Sequence, residues 1–577
     1  MYVVNNMKKI IYFLLIVVFI LLGVLCYKRF IVKDENKPNI VKVLKGDKIE
    51  ENVYGIKLND TGKGYVNSDI IDENNIYYSL GEDVENTEFY KYDLYTGEKK
   101  KFIENFEYFD CKKYGELIGC ADNEKTDFYD KDGTLKFTMN GLGIVYNNGN
   151  YYSISDNKIV DKDNKEYFTL DKKYSGYDLT DYFVVNDNIY LIYFKFDDDK
   201  NPSIICDTKN NKCEDNKLNA YNKYDNGLFS IDNNKITIYD ASSNKYSEYD
   251  IKLNRSKYFT EYLDKNNNFY VYNNNMERLE IINLNDNSVK TFNISDVNNI
   301  SIVNNMLFLK LLDSDYDYYV IKNGYNYKSY SIDEYVTLIE TELNDKVSNV
   351  KEKYNVNLYI KDSAIIKFPD FLAKEYDDSE DIYSSINRIE SILDKFPKDF
   401  FDSLYEDGDK GLNVYLTGEL RPMDVKSQYT TPAAYTSYYK NMYLIAMDIT
   451  QSGLEANTCH ELMHSIENKL NNMGEYFTDW YKLNPKKYDY SYSYKVVNRL
   501  EYTIGETSDD NVYFVDYYSH TYPTEDKARV FENICNYDVP SSIKNYKHLL
   551  DKANYLKEII TKYYPSMNET TLFNSIN

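Results

Sequence analysis

One pattern of short strands recurs along residues 60–332 and constrains the fold of this chain more than any other feature. Each copy contains an apolar strand, a polar gap, a second strand, an Asp-bearing turn and a third strand. The first copy places strands at residues 76–80 and 89–94, followed by a turn at residues 95–98. The turn recurs at residues 129–133, 206–210, 239–243 and 282–286. Because such a unit buries only one face by itself, the pattern predicts small sheets that stack on one another.

The number and spacing of the copies indicate how the sheets are arranged. With the strand pairs near residues 145–161 and 302–332, the region holds about seven copies at a spacing of roughly 40 residues, the length of one four-stranded propeller blade. Closure into a ring buries the apolar faces and removes exposed strand edges. The region resembles the β-propellers of the kelch-like and WD40-like superfamilies, and this resemblance implies an all-β propeller of about seven blades over residues 60–332.

The repeats carry no cluster of His, Cys or acidic residues that suggests catalysis, and none of the four His residues falls there. Propellers include both enzymes and binding platforms, so the fold alone assigns no activity. We therefore expect the repeats to be a scaffold or a docking surface for a protein partner.

The N-terminus contains an uncharged apolar run at residues 10–27, just long enough to cross a bilayer as a helix. A cleaved signal peptide is the main alternative, but no small-x-small cleavage site follows the run. Leu25 precedes Cys26 where a lipoprotein would carry a small residue. We therefore expect a membrane anchor at residues 1–28, a linker at residues 29–59, and a single-pass protein of the cell membrane whose body lies on the extracellular side.

Charge and cysteine content limit the partners and the compartment. The formal net charge of −25 argues against a nucleic-acid partner, because phosphate contacts need clustered Lys and Arg. Cys111 with Cys120, and Cys206 with Cys213, could each cross-link a hairpin in an oxidising compartment. Free buried thiols are the alternative.

The hydrophobic period changes from two toward 3.6 after residue 332, which predicts an α+β domain over residues 333–577. Helices are expected at residues 334–354 and 379–396, the second closed by Pro397. Strands are expected at residues 356–360, 412–416 and 442–446. Strands followed by a helix with a His-Glu-x-x-His motif are typical of zincins.

That motif is His460-Glu461-x-x-His464. Residues four apart share one face of a helix, so both imidazoles can bind the same metal ion. Zinc takes about three protein ligands and leaves a fourth position for water, whose pKa it lowers to about 7. We expect Glu461 to accept the proton of that water during attack on a peptide carbonyl.

The third zinc ligand distinguishes the zincin families. Glu467 and Leu470 stand where a metzincin carries Gly and His, which excludes that group. A gluzincin takes a Glu from a later helix, and Pro523 predicts a helix start with Glu525 in its first turn. The alternative is that Glu525 and Asp526 merely interact with the helix dipole.

The motif helix, with a Tyr-x₆-Glu-x-x-Ala stretch that begins at Tyr518, resembles the catalytic domain of anthrax lethal factor-like gluzincins and related bacterial zinc-binding metallopeptidases. The resemblance covers about residues 444–537. It implies His460, His464 and Glu525 as zinc ligands, Glu461 as general base and Tyr518 as hydrogen-bond donor to the tetrahedral oxyanion.

The chain departs from that family at Arg529, where an acid often stands four residues after the Glu ligand. The carboxylate that orients a ligand His is therefore open between Asp526 and Glu532. His520 is an alternative to Tyr518 as oxyanion donor, or even a zinc ligand. Glu506, Glu532 and His520 are the competitors of Glu525 for the third ligand position.

Together these features predict a multidomain chain with an N-terminal transmembrane helix, a propeller and a C-terminal α+β zincin domain. The predicted function is a membrane-anchored extracytoplasmic zinc metalloendopeptidase that cleaves a protein or peptide, with Zn²⁺ as cofactor and the propeller as docking module. The alternative is a non-catalytic cell-surface adhesion or sensor protein with a degenerate zincin domain. Intact Glu461 argues against this alternative, since a decayed site would have no reason to keep the base.

Overall fold

The structure, a computed structural model, describes residues 44–576 apart from residues 60–64, 82–86, 105–109, 123, 142, 156–157, 196–202, 219–221, 256–257, 259, 313, 366–367, 424–430, 496–498 and 537–542. The described residues form two compact units. The first contains the residues up to Val271 together with Ser295–Tyr327, and the second contains Tyr272–Ile294 and Lys328–Asn577. Whether the predicted domains fold separately stays a prediction.

Seven sheets form a seven-bladed propeller, and each of the first five blades has four strands in chain order. Blades one and two contain β3 Tyr65–Ile71, β4 Asn75–Gly81, β5 Glu88–Asp93, β6 Lys99–Ile103, β7 Asp110–Tyr114, β8 Leu117–Ala121, β9 Lys125–Tyr129 and β10 Leu135–Asn140. Blades three to five contain β11 Ile144–Asn147, β12 Asn150–Ser155, β13 Lys158–Asp161, β14 Glu166–Thr169, β15 Asp178–Val185, β16 Asn188–Phe194, β17 Ser203–Asp207, β18 Lys212–Asp215, β19 Asn222–Tyr224, β20 Gly227–Asp232, β21 Lys235–Asp240 and β22 Lys245–Asp250.

The last two blades have five strands each, and the seventh joins the two ends of the repeat region. Blade six contains β23 Glu261–Leu263, β24 Asn268–Asn273, β25 Arg278–Asn283, β26 Val289–Asn293 and β30 Lys328–Tyr330. Blade seven contains β27 Val297–Val303, β28 Met306–Leu311 and β29 Tyr318–Ile321, completed by β2 Val53–Ile56 and β1 Asp47–Glu50. Since β2 pairs antiparallel with β29, the start of the region closes the ring. The seven-bladed propeller predicted from the repeats is confirmed.

The Asp-bearing turns of the repeats are stabilised by their own side chains. Asp93 Oδ1 accepts hydrogen bonds from the amides of Tyr95 and Thr96 at 2.9 and 2.8 Å. Gly97 follows with a φ of +73°, a left-handed conformation that suits Gly. Asp130 makes the same kind of contact with amides two and four residues further on. The short side chain therefore replaces a backbone partner in each turn.

Two disulfides cross-link hairpins inside the blades. Cys111–Cys120 joins β7 to β8, and Cys206–Cys213 joins β17 to β18. In both hairpins the two Cys residues are directly opposite one another in the strand register. From the sequence, these four Cys residues could have formed disulfides or remained free thiols, and in the structure they form disulfides.

In its described residues the second unit contains six α-helices and two further sheets. The helices are α1 Ile332–Tyr354, α2 Ser379–Leu393, α3 Lys398–Ser403, α4 Leu454–Asn472, α5 Pro523–Cys535 and α6 Lys547–Tyr563. A mixed sheet has the order β31 Asn357–Tyr359, β33 Leu412–Thr417, β36 Met442–Asp448 and β35 Ala434–Tyr439, and β32 Phe371–Ala373 pairs with β34 Leu420–Pro422. Among the described residues, one short 3₁₀ helix, Lys172–Tyr174, lies in the propeller. Those of the second unit are Lys361–Ala364, Glu406–Gly408, Trp480–Leu483, Asp509–Asn511, Tyr518–His520, Pro565–Glu569 and Leu572–Ile576.

The helix ends follow local capping chemistry. Ser331 and Glu334 form a reciprocal capping box at the start of α1, two residues before the predicted start. At the other end of α1, Asn355 adopts a left-handed conformation. Helix α2 ends at Leu393, three residues before the predicted end, and Pro397 caps α3.

Helices α4 and α5 pack together in the main core of the second unit. Leu462 and Ile466 of α4 are fully buried, as are Val530 and Phe531 of α5 and Leu556 of α6. A third disulfide, Cys459–Cys535, links α4 directly to α5. The residues proposed as metal ligands therefore lie on two helices that are fixed to one another by packing and by a covalent bond.

The predicted fold class was wrong, because it began with a transmembrane helix. No helix among the described residues is long and apolar enough to cross a membrane, and the predicted anchor at residues 10–27 lies outside those residues. A run of 18 residues extends about 27 Å as a helix, less than a hydrocarbon core of about 30 Å, so length was weak evidence for a span. The part of the second unit that follows the propeller in the chain has an α+β fold, and that fold alone does not make it a zincin.

Candidate metal centre

Two helix starts position the candidate ligands. Helix α4 begins after Gly453, whose φ is +76°. In its first turn, Glu455 accepts two hydrogen bonds from Arg388 of α2, from Nε to Oε1 at 2.6 Å and from Nη2 to Oε2 at 2.5 Å. Helix α5 begins at Pro523, so Glu525 lies in its first turn, as its sequence predicts. The two helix starts therefore determine which residues of α4 and α5 lie on the same helix face as the candidate ligands.

The structure brings His460, His464 and Glu525 together. Their ligand atoms all lie within 4.8 Å of one another. Glu525 Oε2 is 3.0 Å from His460 Nε2 and 3.3 Å from His464 Nε2. Ligand atoms bound at about 2.0–2.2 Å to a tetrahedral zinc ion are separated by roughly 3.3 Å. Two imidazole nitrogens and one carboxylate oxygen at this spacing fit a zinc ion.

The electrostatics of this cluster favour a cation. Burial raises the pKa of Glu525, but the imidazoles of His464 and His460 outweigh it and hold that pKa well below its usual value. Burial lowers the pKa values of His460 and His464, but the surrounding carboxylates outweigh it and raise both. Without a metal, the ionised carboxylate therefore holds protons on the imidazoles, and a divalent ion would displace those protons and take their place beside it.

The side chain of Glu461 on α4 is held by a hydrogen bond from the neighbouring strand β35. Its Oε2 accepts a hydrogen bond from the hydroxyl of Thr436 on β35, the edge strand of the mixed sheet. The contact holds the carboxylate of the residue that follows the candidate ligand His460. No motif marks Thr436, which is 25 positions from its partner.

Glu532, one of the two candidates for orienting a ligand His, contacts His460. Its Oε2 lies 3.2 Å from His460 Nδ1, the ring nitrogen that faces away from Glu525. Arg529 Nη1 donates to the same oxygen at 2.8 Å. Arg529, which stands where the gluzincins that the sequence resembles often carry an acid, thus binds the carboxylate that contacts His460.

Tyr518 lies beside His460 of the cluster. Its ring centroid is 6.2 Å from that of His460, and the Arg529 guanidinium lies 5.2 Å from its ring centroid. Burial raises the pKa of Tyr518, and the charges of Glu525 and Glu461 raise it further. The phenol therefore keeps its proton and can donate a hydrogen bond.

Asp526 points away from the ligands and into the core. Its Oδ2 binds Lys552 Nζ at 2.7 Å, Trp480 Nε1 at 3.0 Å and the Tyr490 hydroxyl at 2.6 Å. Asp526 and Lys552 are both fully buried. Asp526 therefore anchors α5 to α6 and does not orient a ligand His.

The alternative ligands do not join the cluster. His520 Nδ1 binds the Tyr488 hydroxyl at 2.7 Å, and its Nε2 binds the Thr503 hydroxyl at 2.9 Å. Burial lowers the pKa of His520 from its usual 6.5 to about 4. Glu506 is exposed on a loop. The structure therefore gives His520 a structural place and leaves Glu525 as the carboxylate shared by both imidazoles.

Sequence reasoning missed two further features of the site. Tyr494 donates from its hydroxyl to Glu525 Oε1 at 2.9 Å, and nothing in the sequence distinguishes it among 65 Tyr residues. The disulfide Cys459–Cys535 begins one residue before His460. This disulfide could have been predicted from the sequence, because pairing the four hairpin Cys residues leaves only these two Cys residues after Cys26.

Comparisons with known proteins concern the propeller alone. No family model and no curated protein matches the chain. Among solved structures, a streptogramin B lyase has a TM-score of 0.34 at 14% identity over 48% of this chain and 100% of its own. Virginiamycin B lyase from Staphylococcus aureus scores 0.33 at 12% over 46% and 97%, and the Neurospora crassa Pan2 WD40 domain scores 0.32 at 8% over 46% and 91%. At these scores the likeness carries no argument about what this chain does.

Proposed function

We propose that the second unit is a zinc-dependent peptidase of the gluzincin type that hydrolyses peptide bonds of a protein or peptide. The observation that supports it is the convergence of His460 and His464 from α4 with Glu525 from α5, whose ligand atoms lie within 4.8 Å of one another. Two imidazoles and one carboxylate are a donor set of catalytic zinc sites that keep one position open. A zinc ion held there would supply Lewis-acid chemistry, polarising a peptide carbonyl and acidifying water.

Glu461 is the proposed general base. Its carboxylate is fixed by Thr436 and lies one residue after a ligand, so it can take a proton from the attacking water. The same carboxyl group then returns the proton to the leaving amine. Intact placement of this base is the observation against a merely structural role for the unit.

Tyr518 is the proposed oxyanion donor. Its phenol stays protonated because burial and two nearby carboxylates raise its pKa. It can therefore donate to the negative oxygen that develops on the scissile carbonyl, a contact stronger in the transition state than in the bound substrate.

The remaining parts of the proposal concern context. The three disulfides favour an oxidising compartment outside the cytoplasm, because cytosolic thiols are kept reduced. The propeller is proposed as a docking module for a protein partner or substrate, a role that propellers commonly fill. The rival proposal is a non-catalytic adhesion or sensor protein.

Peptide-library cleavage separates the peptidase from its rival. Zinc-loaded wild-type protein and Glu461→Gln would be incubated with the same library, and the products sequenced by mass spectrometry. The proposal expects a defined set of cuts by the wild type that a chelator and Glu461→Gln both abolish. Cuts that persist in Glu461→Gln would identify a contaminating protease, and zinc-loaded protein without any cuts would favour the rival.

A further inference from the structure

A segment at residues 490–494 runs along the stretch that leads into α5. The Ser491 amide donates to the His520 carbonyl at 3.0 Å, and the Tyr492 amide donates to the Thr521 carbonyl at 2.9 Å. These backbone contacts place the segment beside the first turn of the helix that carries Glu525. No motif in the sequence marks this pairing.

Two phenols of the segment reach two adjacent carboxylates on α5. Tyr490 donates to Asp526 Oδ2 at 2.6 Å, and Tyr494 donates to Glu525 Oε1 at 2.9 Å. Asp526 anchors the helix in the core, whereas Glu525 faces the imidazoles. One segment therefore holds both the anchor of α5 and its candidate metal ligand.

The segment holds a strained conformation that its neighbours enforce. Tyr492 has a φ of +50°, a left-handed conformation that is unfavourable for a bulky residue. Its carbonyl accepts a hydrogen bond from the Tyr522 hydroxyl at 2.9 Å. The ring of Tyr494 packs against Tyr522 and stacks on Tyr518, at centroid distances of 4.7 and 5.9 Å. Strain that persists beside a candidate site points to a function for the geometry it maintains.

The two oxygens of Glu525 have different partners. Oε2 lies 3.0 and 3.3 Å from the two imidazole nitrogens, whereas Oε1 accepts the hydrogen bond from Tyr494. A carboxylate that uses both oxygens toward a metal takes up the position that water would otherwise occupy. A donor held on Oε1 opposes that second contact and fixes the orientation of the carboxylate.

We propose that Tyr494 is a positioning residue for Glu525, whose hydroxyl holds Oε1 so that Oε2 alone is presented to a metal ion. The inference rests on the proposed zinc site and deepens it. It gives the strained segment a purpose, because the backbone bonds of Ser491 and Tyr492 and the ring of Tyr522 locate the Tyr494 hydroxyl.

The test uses metal-stripped full-length protein as wild type, Tyr494→Phe and the control Tyr517→Phe, which removes the hydroxyl of a neighbouring exposed tyrosine. Zinc affinity would be measured by competition with a chelator, and the ligand geometry by the visible absorption of cobalt-loaded protein. Tyr494→Phe should bind zinc about 10–100-fold more weakly and change the cobalt spectrum. Tyr517→Phe should match the wild type in both.

Each other outcome has a distinct meaning. Unchanged zinc affinity and an unchanged cobalt spectrum in Tyr494→Phe would overturn the inference. A large drop in the melting temperature of metal-free Tyr494→Phe would show that the hydroxyl serves the fold, which also overturns it. Wild-type protein that binds no zinc would instead refute the proposed function.

Discussion

The propeller and the second unit use carboxylates in opposite ways. In the propeller, Asp93 and Asp130 bind backbone amides two to four residues further along the same turn. In the second unit, Glu525 binds an imidazole 65 positions away and Asp526 binds Lys552 on another helix. The first kind of contact is repeated and local, and the second is single and long-range.

This difference determines where the chain is sensitive to change. A turn that loses one local side-chain contact keeps its backbone ladder and its neighbouring blades. A buried carboxylate that loses its partner leaves an uncompensated charge or an incomplete site. Substitutions of acidic residues should therefore have small effects in the propeller and large, specific effects in the second unit.

The largest expected effect is on catalysis. Glu461→Gln removes the general base but no metal ligand, so the rate should fall by about 10²–10⁴-fold while zinc content is unchanged. Asp130→Asn in a propeller turn is the matched control and should leave the rate unaltered. Comparable losses in the two variants, measured with the same peptide substrate, would break the contrast between the units.

Breaking the buried ion pair of the second unit should strongly reduce its free energy of unfolding. Lys552→Met leaves Asp526 buried without its cation, and breaking such a pair costs about 3–5 kcal/mol. Lys235→Met removes a solvent-exposed partner of Glu248 in the propeller and should not move the unfolding midpoint. Denaturant unfolding of both variants, followed by circular dichroism, measures the difference.

The features that the sequence predicts are those that depend on local contacts, and the features that it does not predict depend on long-range contacts. The propeller was predictable because each turn carries its own Asp signal within a few residues, as at Asp93. The motif helix and the start of α5 at Pro523 were predictable because their signals are also local. The contacts of Thr436 and Tyr494 were not, since each joins residues 25 or more positions apart without any periodic pattern.

The disulfides should also differ between the units. In a chain-entropy view, Cys459–Cys535, with a sequence separation of 76, contributes about 4.5 kcal/mol, whereas Cys206–Cys213, with a separation of 7, contributes about 2 kcal/mol. Paired Cys→Ser replacements compare the two by thermal unfolding. Equal losses would show that loop length does not determine their contributions here.

The smallest expected effect is a pH dependence from His520. Its pKa is about 4 in the folded protein and 6.5 when unperturbed, so the unfolded state binds the proton first as pH falls. His520 therefore favours folding above about pH 6.5 and loses that contribution as pH falls toward 4. Between about pH 7 and pH 5 the metal-free wild type should lose about 1 kcal/mol more than His520→Gln, after allowance for solvent screening. Equal pH profiles of the melting temperature would contradict this assignment.

Zinc titration of the metal-stripped protein tests the central claim most directly. The wild type and the exposed-carboxylate control Glu506→Ala should each bind a single zinc ion tightly. His464→Ala and Glu525→Ala each delete a proposed ligand and should bind it far more weakly. A wild type that binds no zinc, or a Glu525→Ala variant that binds it as tightly as the wild type, would contradict the account.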